Sequence, residues 1–316
     1  MARYSPEIAH NVPTAADPIE NTSLAEILGA FSYALDLTEG QPAGHSIRAC
    51  WIGTKIAQTI GLDAAQLRDV YYATLLKDLG CSSNAARVAH LFAGDDRHLK
   101  CQFKTIGPDA ADFGRFILTE VGANAAPAVR EAAVDHLMAN AADVLCDVMS
   151  TRCTRGASIA RQLRFSDDVA TAILHLDEHW DGGGLPTGIA GTAIHIGARI
   201  ALLAQVADVF FTQQGPRAAM VEIAQRRGTW FDPHLVDQFL TIAAAPHFWS
   251  PLASPSLETF LFSLEPAQSR VAVDEAYLDD IVSAFGQVID AKSPYTSGHS
   301  ERVGLFTDLI AQRMGI

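Results

Sequence analysis

Positive charge is scarce in this chain: 23 lysines and arginines stand against 36 aspartates and glutamates, a formal net charge of −13. Gripping a nucleic acid polymer depends on Lys and Arg neutralising phosphates, so this balance excludes that task. A small anion is still compatible with it where arginines or metal ions focus positive potential locally. Cysteine is also sparse and unpatterned. Cys50, Cys81, Cys101, Cys146 and Cys153 form no C-x-x-C pair. An odd count without a framework fits a reduced, cytoplasmic chain with buried thiols. No apolar run approaches the roughly 20 residues that span a bilayer, so no membrane insertion is expected. The N-terminus lacks the basic and apolar regions of a secretory signal. Period-two alternation is scarce, which argues against sheets.

What is present points to a large helical protein. Hydrophobic residues make up 49% and charged ones 19%, enough material for a sizeable core. The length of 316 residues suits one large domain plus part of another. Residues 1–22 are polar and contain prolines, and read as a flexible leader. From Ser23 the pattern turns helical: Ser23 can cap, Glu26 sits three residues on, and Leu24, Ile27, Leu28 and Phe31 recur at helical spacing. Similar segments follow at 45–61, 66–79, 83–93, 109–122, 127–149, 154–164, 167–179, 195–213, 217–227 and 233–244. The fold class is all-α, with a helical domain over 23–245. Prolines 246, 251, 255 and 266 break up residues 246–273, which read as a connector carrying one short helix or extended piece, with SLETFLFSL as its one apolar run. Helical periodicity resumes at Asp274 and runs to the end.

That last segment, 274–316, repeats the first. Laying Gly298-His299-Ser300 over Gly44-His45-Ser46 also brings Ala284-Phe285 onto Ala30-Phe31, Asp290 onto Asp36 and Arg302 onto Arg48. Ile310-Ala311-Gln312 then falls on Ile56-Ala57-Gln58. Agreement at so many fixed offsets is an internal duplication. The expectation is a fragment of a tandem protein whose second copy begins here.

The stretch from Ala170 to Phe210 concentrates the chemistry. His175, Asp177, Glu178, His179 and Asp181 precede a turn, Gly182-Gly183-Gly184-Leu185-Pro186, and an apolar segment bearing Arg199 and Asp208 follows. Ligand-type side chains ending one helix, a glycine turn, and a helix returning past them describe a site. The plainer alternative is a solvated helix end. His90, His98, His136, His195, His234 and His247 have no supporting constellation and read as surface or cap residues. Trp180 and Leu185 should pack under the turn. Asp78 ends the apolar run 72–76 and would be costly to bury alone, so a cation (metal, Lys77 or Arg48) should lie near it. Cys81 reads as a small buried filler.

Six elements occur in an order that resembles the HD-GYP domain family. They are Gly44-His45-Ser46-Ile47-Arg48, Leu75-Leu76-Lys77-Asp78-Leu79-Gly80-Cys81, and the turn Asp181-Gly182-Gly183-Gly184-Leu185-Pro186. Ala198-Arg199-Ile200, Ala207-Asp208-Val209-Phe210 and Phe231-Asp232-Pro233 complete the series. The segment 292–303, KSPYTSGHSERV, is an even closer match to the family's opening motif, with His299 and Arg302 as its site residues. The resemblance implies a helical bundle that hydrolyses cyclic dinucleotides such as cyclic di-GMP. It also implies Fe or Mn ions held by imidazoles and carboxylates that polarise the phosphodiester and activate water. The expected partners are a cyclic dinucleotide and either a homodimer mate or the second copy in the same chain.

Transferred position by position, the resemblance gives His45, Asp78, Asp177 and Asp208 as metal ligands, with Asp78 bridging. Arg48, Asp181, Gly184 and Arg199 become substrate-binding residues, and Lys77 joins Asp78 in the catalytic pair. The chain departs from the family where the metal is held. Lys77 stands for the histidine of the H-D pair, and Cys81 for the following lysine. Ala110, in the run 109–114, stands where an imidazole is expected, and the paired histidines fall on Leu176 and Asp177, with His175 one place out of register. In one register the family's metal-binding aspartate is Gln205 and Asp208 is a substrate-side acid; in the other Asp208 meets the metal. Lys77 could replace a metal charge and hold a phosphate directly. Two functions follow: a metal-dependent phosphodiesterase impaired in this copy, and a non-catalytic module that binds a nucleotide or partner and regulates the second copy. A purely structural helical repeat leaves the acids around the glycine turn unexplained.

Overall fold

The computed structural model describes residues 23–107, 110–266, 273–292, 295 and 298–315. The expected leader 1–22 lies outside them, as do Asp109 and residues 293, 294, 296 and 297 of the second copy's motif. Every regular element among the described residues is helical, apart from one isolated bridge between Arg227 and Phe231.

Helix α1, Leu24–Thr38, starts at the Ser23–Glu26 capping box and buries Leu24, Leu28, Phe31 and Leu35. The two groups each satisfy an otherwise orphaned N–H at the helix start. Gly44, in the left-handed conformation at φ 82°, turns the chain into α2, His45–Thr59; glycine adopts this φ without a Cβ clash. Helix α3, Ala64–Leu75, is capped by Asp63. Three short helices follow: α4 (Ala85–Leu91), α5 (Asp96–Phe103) and α6 (Ala110–Glu120). Helix α7, Pro127–Gln162, joins what the periodicity divided into 127–149 and 154–164, with its one non-helical backbone pair at Asn140. Helix α8 spans Asp167–Leu174, and α9, Ile196–Gln214, passes through the middle of the molecule. From Gly197 to Phe210 every α9 residue except Arg199 is buried. By length and composition α9 could cross a membrane. A helix apolar on all sides and packed within protein is a core helix, and that is its role here.

Helices α10 (Pro216–Gln225) and α11 (Pro233–Ala243) cover α9 and α2. Residues 246–264, within the expected connector, form two short helices, α12 (Pro246–Trp249) and α13 (Leu257–Phe262), and bury Phe248, Trp249, Leu252, Leu257 and Leu261 in the main core. Each such side chain contributes about 1.5–3 kcal/mol by leaving water, which holds this proline-rich stretch down. A second, smaller core gathers Val88, Phe92, Leu99, Phe116, Ile117, Val121, Leu137 and Val144 beneath α4–α7.

Helices α14 (Glu275–Asp290) and α15 (His299–Met314) reproduce the α1–α2 corner. Gly298 is left-handed at φ 65°, as Gly44 is. Ser46 donates its N–H and hydroxyl to Asp36 Oδ1 at 3.0 and 2.7 Å. Ser300 does the same to Asp290, at 3.0 and 2.7 Å. Helix α14 docks on the first domain through buried Tyr277, Ile281, Ala284 and Val288, and Tyr277 Oη donates to the Leu163 carbonyl at 2.8 Å.

Candidate functional site

Helix α3 ends at Leu75, so Lys77 and Asp78 sit in the turn leading to a 3-10 segment at Cys81–Asn84, not on the helix expected to reach residue 79. Both side chains are wholly buried, and Lys77 Nζ donates directly to Asp78 Oδ2. Arg152, from the second half of α7, donates to Asp78 Oδ1 at 3.2 Å and to both Asp177 oxygens at 3.0 and 2.9 Å. Lys104 Nζ lies 3.8 Å from Asp78 Oδ1. Burial pushes the Asp78 carboxyl up, but Lys104, Lys77 and Arg152 together hold it well below the usual carboxylate range. The cation that Asp78 required is therefore supplied by the chain itself, several times over.

A second buried cluster holds His45, Arg48 and Asp208. Asp208 accepts from His45 Nδ1 at 2.7 Å and from Arg48 Nε and Nη2 at 2.7 and 3.2 Å. Burial, with Lys77 and Lys104 nearby, lowers the His45 imidazole to about 3, so the ring is neutral at pH 7. A neutral ring that donates from Nδ1 leaves Nε2 as a bare acceptor, and Nε2 is buried with no hydrogen-bond partner. One turn before Asp208 on α9, Gln205 Oε1 is likewise buried and unpartnered.

The glycine turn is built by its acids. Glu178 is buried and accepts from Thr187 N and Oγ1 at 2.7 and 2.6 Å and from Gly188 N at 3.0 Å. It staples the turn and points at no ligand. Exposed Asp181 accepts from Gly183 N at 2.8 Å. Gly184 is required for close approach: a Cβ there would lie 2.1 Å from His179 N and 2.6 Å from Asp177 O. His179 stacks on Trp230 with centroids 4.2 Å apart. Arg199 donates to Asp232 at 2.7 Å and lies 5.7 Å from the Trp180 ring, so it braces the start of α11. His175 Nδ1 accepts from the His195 backbone at 3.3 Å. His195 caps α9, as expected of a cap residue. His299 is exposed at the start of α15, and Arg302 is on the same exposed helix.

The predicted residues thus fall into separate groups: Lys77, Asp78 and Asp177 joined by Arg152; His45, Arg48 and Asp208 beside them; and Asp181 and Arg199 in the scaffold of the turn. Gly184 lines a cavity of about 450 Å³ together with Asp177, Gln205, Lys104 and Arg152. Sequence reasoning missed Arg152 and Lys104, which carry no motif.

Phosphodiesterases with HD domains are metal-dependent, and the donor set here does not fit a bridged pair of ions. Asp78 spends both oxygens on Lys77 and Arg152, Asp177 spends both on Arg152, and Asp208 spends both on His45 and Arg48. His45, Asp78, Asp177 and Asp208 do not converge within ligand reach as a set. The donor atoms that do cluster among the described residues are those of Glu39, Asp78 and Cys81. Glu39 is taken by Lys100 at 2.8 Å. Burial pushes the Cys81 thiol well above its ordinary value, and a protonated thiol is a poor ligand.

Residues 135–235 match the family described as HD domain. A relative in Vibrio cholerae, named 3'3'-cGAMP-specific phosphodiesterase 3, is 45% identical over 293 residues, which cover 93% of this chain and 64% of that one. The chain carries an HD domain. A crystal structure of a cyclic GMP-AMP specific phosphodiesterase from V. cholerae aligns with a TM-score of 0.73 at 42% identity, covering 93% of this chain and 66% of the other. The cyclic di-GMP phosphodiesterase response regulator RpfG of Xanthomonas campestris is 35% identical over 85 residues, 25% of this chain and 22% of its own length. The all-α HD fold and the likeness to cyclic-dinucleotide phosphodiesterases agree with the motif reading. The chain spans just under two thirds of the length of the V. cholerae relative.

Proposed function

We propose that this HD domain serves cyclic-dinucleotide hydrolysis as a regulatory module, and that the pocket in residues 23–245 does not itself cleave the phosphodiester. The observation that carries this reading is the Lys77–Asp78–Arg152–Asp177 chain of ion pairs, wholly or largely buried. Fixed ammonium and guanidinium groups satisfy the carboxylates that would otherwise gather divalent ions, and they bring no activated water. The V. cholerae relative's name supports a 3'3'-linked cyclic dinucleotide as the molecule on which the whole system acts. The target of regulation is the second HD copy, whose opening corner is α14–α15 and which contacts the first copy within the chain. Five free thiols support a cytoplasmic setting.

The test is to incubate the purified chain anaerobically with Fe(II) or Mn(II), remove loose metal, and measure both bound metal and turnover of 3'3'-cGAMP. Neither metal nor product is expected, and Lys77→His alone should not restore them, because Arg152 still occupies Asp78 and Asp177. Two tightly bound ions per chain together with product formation would overturn the reading.

A further inference from the structure

The cavity beside the Asp78 turn is built for a different guest from a dinucleotide. Most of its wall is aliphatic or aromatic, with Phe103, Phe113, Phe116, Ile106 and Met149 among the lining residues. Phe103, Phe113 and Phe116 pack against one another at centroid distances of 6.0–6.1 Å, forming one continuous aromatic face. The polar groups gather at the Asp78 turn. There Lys77, Lys100, Lys104 and Arg152 meet Glu39, Asp78 and Asp177. Asp96 also lies 3.5 Å from Lys100, so four cations face four carboxylates, but one of the cations makes no hydrogen bond.

Lys77 is bound to Asp78, Lys100 to Glu39, and Arg152 to Asp78 and Asp177. Lys104 Nζ is buried and has no hydrogen-bond partner; its nearest acid oxygen is 3.8 Å away. Arg152 Nε and Gln205 Oε1 are also buried without partners, and all three residues line this cavity. Buried polar groups are normally satisfied, and unsatisfied ones on residues that line a cavity mark where a ligand's polar end belongs.

We infer that the cavity binds an amphipathic monoanion, a fatty-acid-type carboxylate, with its head on Lys104 and its chain along the Phe103–Phe113–Phe116 face. A ligand with two phosphates and two purines would bring two negative charges to a cluster with one unpartnered ammonium. It would also present base edges to a wall with few donors or acceptors to read them. This inference rests on the regulatory reading of the pocket and supplies the signal that the module would sense.

Titration of the metal-free chain with dodecanoate, followed by calorimetry and by the fluorescence of Trp230 at the cavity wall, tests it. One dodecanoate should bind per chain, and dodecanol about tenfold more weakly, since a charge-assisted hydrogen bond is lost. Lys104→Met should bring dodecanoate down to the level of dodecanol. The variant removes one of the three cations around Asp78 but keeps Lys77 and Arg152 on it, so it should fold; the dodecanol comparison on the native chain reads the same charge dependence without it. Equal binding of acid and alcohol, or no binding of either, would overturn the ligand class. Metal content and turnover of the same preparation separate the two readings. A metal-free, inactive chain that ignores dodecanoate sinks the ligand class alone, whereas a metal-loaded, active chain that ignores it sinks both.

Discussion

At the scale of single residues, His45 carries the clearest pH signature. Burial holds its imidazole at about 3 in the folded protein, against an ordinary value of 6.5. As pH falls below that ordinary value the unfolded chain takes up the proton first, so the folded state loses ground. Stability from neutral His45 is complete above about pH 6.5 and erodes on acidification by about 1.4 kcal/mol per pH unit until the folded ring itself titrates. Urea unfolding between about pH 7 and pH 5 should show this slope, and His45→Gln should flatten it; an unchanged slope in the variant would remove His45 as the source. Some of this cluster was legible in the sequence. An aspartate closing an apolar run demanded a counter-charge, and Lys77 was next to it. Arg152 was not legible, because it lies 74 residues from Asp78 and a lone arginine inside a helix carries no pattern.

At the scale of elements, the charge cluster depends on how closely the Asp78 turn approaches α7. A Cβ at Gly80 would lie 1.9 Å from the Arg152 carbonyl oxygen and 2.7 Å from the Gly156 nitrogen. Backbone meets backbone, so nothing there can swing aside. Gly80→Ala should therefore lower stability by about 2–3 kcal/mol in thermal or urea unfolding. Gly114→Ala, inside α6 with open space around its Cβ, is the contrasting control and should raise stability by about 0.5–1 kcal/mol. The helices themselves were largely readable from apolar spacing, since α2, α6, α9, α10 and α11 lie close to their expected ranges, whereas α8, expected to reach residue 179, ends at Leu174. Helix α5 was missed because only Leu99 of its eight residues is buried, too thin a stripe to register. The end of α3 was overrun because Leu76 and Leu79 continue the apolar pattern into the turn and are buried there. In the expected connector the prolines mark breaks between short helices, and the aromatic and leucine residues between them, whose burial the prolines do not signal, pack into the core.

Across the whole molecule, the duplication becomes a contact. Phe31 of α1 and Phe285 of α14, equivalent positions in the two copies, meet edge to face with centroids 4.7 Å apart. Equivalent residues of the two copies thus touch each other, on a helix that also packs against α7 and the 3-10 segment at Cys81–Asn84. Arg164–Asp280 and Arg155–Gln287 (Nη2 to Oε1 3.0 Å) tie the same faces together. A double-mutant cycle of Phe31→Leu and Phe285→Leu should return a coupling of about 0.5–1.5 kcal/mol in global unfolding, and additivity would mean that the two rings meet without mutual benefit. The repeat was visible in the sequence as matched offsets. Its packing was not, because a sequence alignment places equivalent residues in register without saying that they touch.

Lys77 and Arg152 have a consequence for supply. An ion taken from solution can be diluted, outcompeted or chelated, and a centre built on it rises and falls with the cell's reserves. A counter-charge carried on a side chain is present at one equivalent from the moment of folding. On the regulatory reading proposed above, this pocket should keep its shape under iron starvation and manganese excess alike.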